Sequence, residues 1–159
     1  MYSHILVPLD GSDLAEQAIP PAEGLARSFD ATLHLVQVFS VPRELVSVLE
    51  VGIGVPPPLD PKLSLAHLIV EAGRSKSQAY LERLAAQLRD KGIKVETEVL
   101  EGIADEEILA YAKERDVDCI VVTTQGLSGL RQFFLGSVTD RLIRSSEVPV
   151  VVVPSRHKS

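Results

Sequence analysis

The stretch TTQGLSGLRQFFLGSV, Thr123 to Val138, carries Gly126, Gly129 and Gly136 between an all-apolar run and a helical pattern. Gly136 and Ser137 stand immediately before that helix. The first N–H groups of a helix have no internal partner and sit at the positive end of its dipole. A glycine there lets a ligand approach the backbone, a serine adds a donor, and together they can hold a phosphate. The same residues also fit a helix start with no ligand, because Ser137 and Asp140 have capping-box spacing. Asp10, in PLDGSD, is two-sided in the same way. Either it caps the first helix, with Asp13 as box partner, or it faces a nucleotide through a metal ion. A bare carboxylate repels phosphate unless a cation such as Mg²⁺ lies between them.

Other chemistries lack their residues. There is no GxxxxGK[ST], and GIGVPP has only two of the glycines of GxGxxG and lies in a proline-rich loop. His4, His34, His67 and His157 have no second histidine or cysteine at metal-ligand spacing, and His4 and His34 read as structural strand residues. No GxSxG elbow is present, and no nucleophile has a base beside it. A receiver-type phospho-acceptor at Asp10 wants a further aspartate after the third strand and a lysine after the last, where LEG and PSR stand instead. Arg131 reads as a solvated cation. The expectation is a binding protein, with at most weak hydrolysis of a bound nucleotide.

The elements that must position these residues alternate. HILVPL (His4 to Leu9) is a near-continuous apolar run, as in a strand covered on both faces. Ala15, Ala18, Ile19, Ala22, Leu25, Ala26 and Phe29 mark a helical stripe, with a kink or restart at Pro20 and Pro21. ATLHLVQVF is a second strand. A proline-rich excursion over about 40–64 follows, with one short helix near Glu44 to Leu49, and reads as either a lid or a variable insertion. Leu65 to Lys91 is helical and stops at Gly92. KVETEVLE alternates like an edge strand, ADEEILAYAKERD is a helix with acids first and bases last, and DCIVVTT is a buried strand. Ser137 to Ser146 is a helix, and VPVVVVP is the last strand. This order predicts an α/β fold with a parallel sheet and helices on both faces, in a single domain spanning 1–159. Ligands of such sheets bind beyond the carboxyl ends of the strands, where the strand order reverses. PLDGSD and the glycine stretch both emerge from strand ends and face each other if their strands are neighbours.

Composition bounds the partners. The 159 residues carry a net charge of −6, which argues against nucleic acid or an anionic membrane as the main partner. Cys119 alone forms no internal disulfide and reads as a buried small hydrophobe. The N-terminus lacks a basic leader, and no run approaches the roughly 20 apolar residues of a membrane span. A cytoplasmic protein is expected.

Taken together, ILVPLDGSDLAEQAI, a valine in the second strand, VVTTQGLSGLRQFFLGSVTDRLIRSSEVPVVVVP and this element order resemble the universal stress protein family over nearly the whole chain. The resemblance implies an open five-stranded parallel sheet of order 3-2-1-4-5, Rossmann-like and similar to adenine nucleotide alpha hydrolases. ATP-binding members carry a glycine, two residues, a second glycine, nine residues, then glycine and serine or threonine. Here the second glycine is Gly126, and Gly136 and Ser137 close the motif, but Thr123 takes the first glycine's place. If that position is extended, threonine fits and its hydroxyl is available to ribose or phosphate. If the site needs the missing Cβ, affinity falls. The implied nucleotide site is Pro8, Leu9, Asp10, Val38, Val122, Thr123, Thr124, Gly126, Gly136, Ser137 and Val138. The resemblance further implies ATP, or ADP or AMP, with Mg²⁺ reaching Asp10 only through the nucleotide. It also implies a regulatory stress-response homodimer, formed through the apolar last strand (148–154), and an unidentified regulatory protein partner. Family members without the glycine motif do not bind ATP, which leaves a nucleotide-free interaction module as the alternative.

Overall fold

The structure, a computed structural model, describes residues 1–39, 65–125 and 136–156. The proline-rich excursion, its expected short helix, Gly126, Arg131 and His157 lie outside the described residues. The elements are β1 (His4–Leu9), α1 (Asp13–Glu16), α2 (Ile19–Phe29), β2 (Thr32–Phe39), α3 (Leu65–Asp90), β3 (Lys94–Glu101), α4 (Ala104–Glu114), β4 (Cys119–Thr123), α5 (Ser137–Ser145) and β5 (Val150–Val153). The five strands form one parallel sheet in the order β3-β2-β1-β4-β5. The chain therefore builds outward from β1 to β3 and then crosses back to place β4 on β1's other side.

Strand alternation divides the core in two. Ile5, Val7 and Leu9 of β1 and Cys119 and Val121 of β4 pack with Ala22 and Ala26 of α2 and Leu81, Leu84 and Leu88 of α3. Leu6, Ile120 and Val122 face the other way, onto Ile108, Tyr111 and Ala112 of α4 and Leu142 of α5. Burying one side chain the size of Ile5 or Leu6 contributes about 1.5–3 kcal/mol, and both are 0% exposed. The two strand histidines are structural: His34, 2% exposed, is hydrogen-bonded by His4 (Nδ1···Nε2, 3.0 Å) and by the Tyr111 hydroxyl (3.0 Å).

The two prolines restart the helix instead of kinking it. α1 ends at Glu16, and α2 opens with Pro20 and Pro21 in its first turn, where their missing N–H groups cost nothing. The chain's end is clasped back onto this region. The Gln17 side-chain amide donates to the Arg156 carbonyl and accepts from its N–H, both at 2.8 Å.

Among the described residues neither sheet edge pairs with a further strand, and the two edges differ. β3 carries Lys94, Glu96, Glu98 and Glu101, charges that blunt an edge. β5 carries four valines and no charge, and it spans less than the expected 148–154 because Pro149 precedes the ladder. All four valines are half-buried: Val151 and Val153 pack on the α2/α3 side, and Val150 and Val152 on the α4/α5 side. What β5 presents outward is therefore chiefly its backbone, not a row of exposed valine side chains.

Candidate functional site

The crevice opens where the strand order reverses, between β1 and β4. It is a cleft of about 290 Å³. β1 leads into it with Pro8, Leu9 and Asp10, β2 with Val38, and β4 with Val122 and Thr123. The start of α5 closes it with Gly136, Ser137 and Val138. Thr124 is not part of the lining. It continues the pairing to the tail after β5, with its N–H on the Val153 carbonyl (3.0 Å) and its hydroxyl on Ser155 Oγ (2.8 Å). Gly126 lies outside the described residues.

The β1–α1 turn fixes Asp10. Gly11 has φ +86°, a left-handed backbone that glycine adopts without strain. The turn brings Ser12 back onto Asp10, whose Oδ1 accepts from the Ser12 N–H (2.9 Å) and hydroxyl (2.5 Å). Ser12 in turn accepts from the Ala15 N–H at 3.2 Å and is the N-cap of α1. The expectation that Asp10 itself caps this helix, with Asp13 as box partner, is corrected: Asp10 lies outside the helix and orients the residue that caps it. It is the one charged side chain among the described residues lining the cleft.

The capping box expected at Ser137 is also absent. The N-cap of α5 is Gly136, which offers no side chain, and no side-chain capping bond forms there. Asp140 instead pairs with Arg144 at 3.0 Å, one turn further along the helix. The fold does not demand glycine at 136. Its φ is −58°, and a Cβ built there would meet Thr124 O at 3.6 Å and Gln125 Cα at 3.9 Å, ordinary contact distances. The start of α5 is anchored from below: Gly136 N–H donates to the Thr124 carbonyl (2.8 Å), and the Thr139 hydroxyl to the Thr123 carbonyl (2.8 Å).

Thr123 sits at the end of β4 and is 6% exposed. The non-glycine residues with positive φ among those described are Asp30 and Asp116, so Thr123 carries no left-handed strain. Its hydroxyl donates to the Gln125 carbonyl at 2.7 Å and so braces the turn.

Sequence reasoning missed Ala15, Ala104, Ile108, Gln125 and Thr139, which also line the cleft. Ile108 carried a signal, as an apolar position one turn into a helix, but nothing local says which crevice that helix walls. Gln125, 6% exposed, reads locally as a solvated loop residue. The lining thus combines apolar side chains, among them Val38, Ile108 and Val122, with polar ones, Asp10, Thr123, Gln125, Ser137 and Thr139. Such a site can take a flat apolar group together with an anion.

A sheet with its crevice at this reversal defines a doubly wound α/β protein. A sequence model of the Universal stress protein family matches residues 1–154, and the chain belongs to that family. It is 32% identical to universal stress protein MJ0531 of Methanocaldococcus jannaschii over 158 residues, 99% of this chain and 85% of the relative. The solved structure of MJ0577 from the same organism superimposes with a TM-score of 0.81 at 28% identity, covering 99% of each chain. A universal stress protein family member from Arabidopsis thaliana, solved with AMP bound, shares the fold with a TM-score of 0.62. It is 19% identical, with 97% of this chain and 92% of its own covered.

Proposed function

We propose that this chain binds an adenine nucleotide, ATP with Mg²⁺ in the first instance, as a regulatory member of its family that does not turn the nucleotide over efficiently. The start of α5 carries the reading. Among the described residues Gly136 is required neither by its φ nor by packing, and as N-cap it offers no side chain to the first-turn N–H groups of a helix whose start lines the cleft. Those groups suit phosphate. The apolar wall at Val38, Ile108 and Val122 suits a purine. Asp10, across the cleft, suits a phosphate-bound Mg²⁺ and repels a metal-free one. An AMP-bound protein of the same fold supports the choice of base. Thr123 does not oppose it, because its extended backbone tolerates the side chain. We place the protein in the cytoplasm and pair it with a second copy through the backbone edge of β5. No helix among the described residues is long and apolar enough to cross a membrane.

Calorimetric titration with ATP and Mg²⁺ tests the reading. The wild type binds, and the double change Gly136→Val with Ser137→Ala loses most of the affinity while the melting temperature is held. No heat up to millimolar ATP sinks it and leaves a nucleotide-free interaction module.

A further inference from the structure

Arg141 and Asp105 form an ion pair between α5 and α4, Nη1 to Oδ2 3.5 Å. Its position relative to the cleft gives it a consequence for the ligand. Asp105 follows Ala104, which lines the cleft, and Arg141 lies four residues after Ser137, which also lines it. Residues at that spacing share a helix face about 6 Å apart along the axis. Helical side chains lean toward the N-terminus, so the Arg141 guanidinium reaches back over the start of α5. The ion pair therefore joins α4 and α5 beside Ala104 and within one turn of Ser137, both of which line the cleft.

The charges around this pair are unbalanced. α4 opens with Asp105, Glu106 and Glu107, and the cleft itself contributes Asp10. Among the described residues, Arg141 is the cation paired with Asp105. Its side chain is 67% exposed whereas that of Asp105 is 15% exposed, so the arginine is the partner within reach of a ligand in solvent. Exposed pairs of this kind are weak, and a guanidinium prefers the bidentate oxygens of a phosphate.

We propose that Arg141 sets the preference for polyphosphate nucleotides in this cleft: it rests on Asp105 and exchanges onto the outer phosphates of a bound nucleotide. The inference rests on the nucleotide reading above and adds to it a residue that discriminates by phosphate number. On this proposal ATP binding depends on Arg141, whereas AMP, with its single phosphate, binds without it. Exchange leaves Asp105 without its partner, so the carboxylate opposes polyphosphate binding in the resting protein.

The test is calorimetric titration of AMP and of ATP with Mg²⁺ into wild type, Arg141→Gln, Arg141→Lys, Asp105→Asn and the Arg141→Gln/Asp105→Asn double variant. Arg141→Gln weakens ATP about five- to tenfold and leaves AMP unchanged, and Arg141→Lys recovers part of the loss. Asp105→Asn tightens ATP, and adding Arg141→Gln removes that gain. Equal effects on AMP and ATP, or ATP binding indifferent to Arg141→Gln, overturn the proposal. So does a gain in Asp105→Asn that survives in the double variant, because loss of the carboxylate charge alone then explains it. A wild type that binds neither nucleotide fails in a different way, by removing the site reading itself.

Discussion

The Thr139 hydroxyl donates to the carbonyl of Thr123 at 2.8 Å, joining the first turn of α5 to the last residue of β4. Both residues are buried, at 8% and 6% exposure, so water does not replace the bond if it is lost. Together with Gly136 N–H on the Thr124 carbonyl, it sets where the open end of α5 points.

Thr139→Val keeps the shape and removes the donor. The expected cost is about 1–3 kcal/mol, the penalty for an unsatisfied buried acceptor. It reads as a lower urea midpoint with an unchanged slope, accompanied by weaker nucleotide binding. Thr139→Ser retains the hydroxyl and should stay close to wild type in both measurements.

Acid should weaken the fold in two separate windows. Burial holds the His34 pKa below its ordinary 6.5; Glu96 pulls it up, and His4 and Arg115 push it further down. Above about pH 6.5 neither the folded nor the unfolded chain is protonated there. Below it, the unfolded chain takes a proton that the folded chain refuses, so stability falls until the lowered folded value is passed. Glu23, held low by Arg27 and Lys91, and Glu82, held low by Thr97 and Arg89, act only further down, as pH drops through and below 4.5. Urea midpoints at pH 7.5, 6.5 and 5.5 should decline, and His34→Gln should flatten that decline. A flat wild-type profile over this range contradicts the assignment.

The β5 edge makes a sharper prediction than its valine side chains do. Ile120 N–H donates to the Pro149 carbonyl and Thr124 N–H to that of Val153, each at 3.0 Å. Residues 149, 151 and 153 therefore turn their backbone toward β4, and Val150 and Val152 turn theirs outward. Val152→Pro removes an outward donor while sparing the ladder to β4, a position where edge strands tolerate proline. Light scattering should give about twice the 17.3 kDa chain mass for wild type and the chain mass for Val152→Pro, with the fold retained. By contrast, Val151→Lys also strikes the core that Val151 packs against and should cost stability as well as assembly.

Slow turnover is the expectation for the proposed site. Among its described residues Asp10 is the only ionised side chain, and its Oδ1 is already engaged by Ser12. ATP hydrolysis by the pure protein should fall far below the roughly 1–10³ s⁻¹ of typical enzymes. A rate within that range, abolished by changing one cleft residue, refutes the view of the site as a binding site.

The fold was legible because its signals are periodic. Alternate residues of HILVPL feed opposite cores, and the acid-first, base-last pattern of α4 marks its ends. The caps were misread because capping is decided by where the turn puts a side chain. Asp10 and Ser12 both have capping chemistry, and the left-handed Gly11 between them settles which one meets the Ala15 N–H. The pairing of Thr124 was not legible either, since β4 goes on bonding to Val153 beyond its last strand residue. Ile108 and Ala104 escaped notice because a helix does not announce which strand ends it will stand over.

β1 occupies the middle of the sheet, between β2 and β4. During synthesis β2 emerges soon after it, but β4 begins only at Cys119. At about 5–20 residues per second, the newborn chain waits on the order of ten seconds with one side of its central strand unpaired. Chaperone capture or misassembly of the nascent chain should therefore concentrate on the half-sheet β3-β2-β1 and end when β4 arrives.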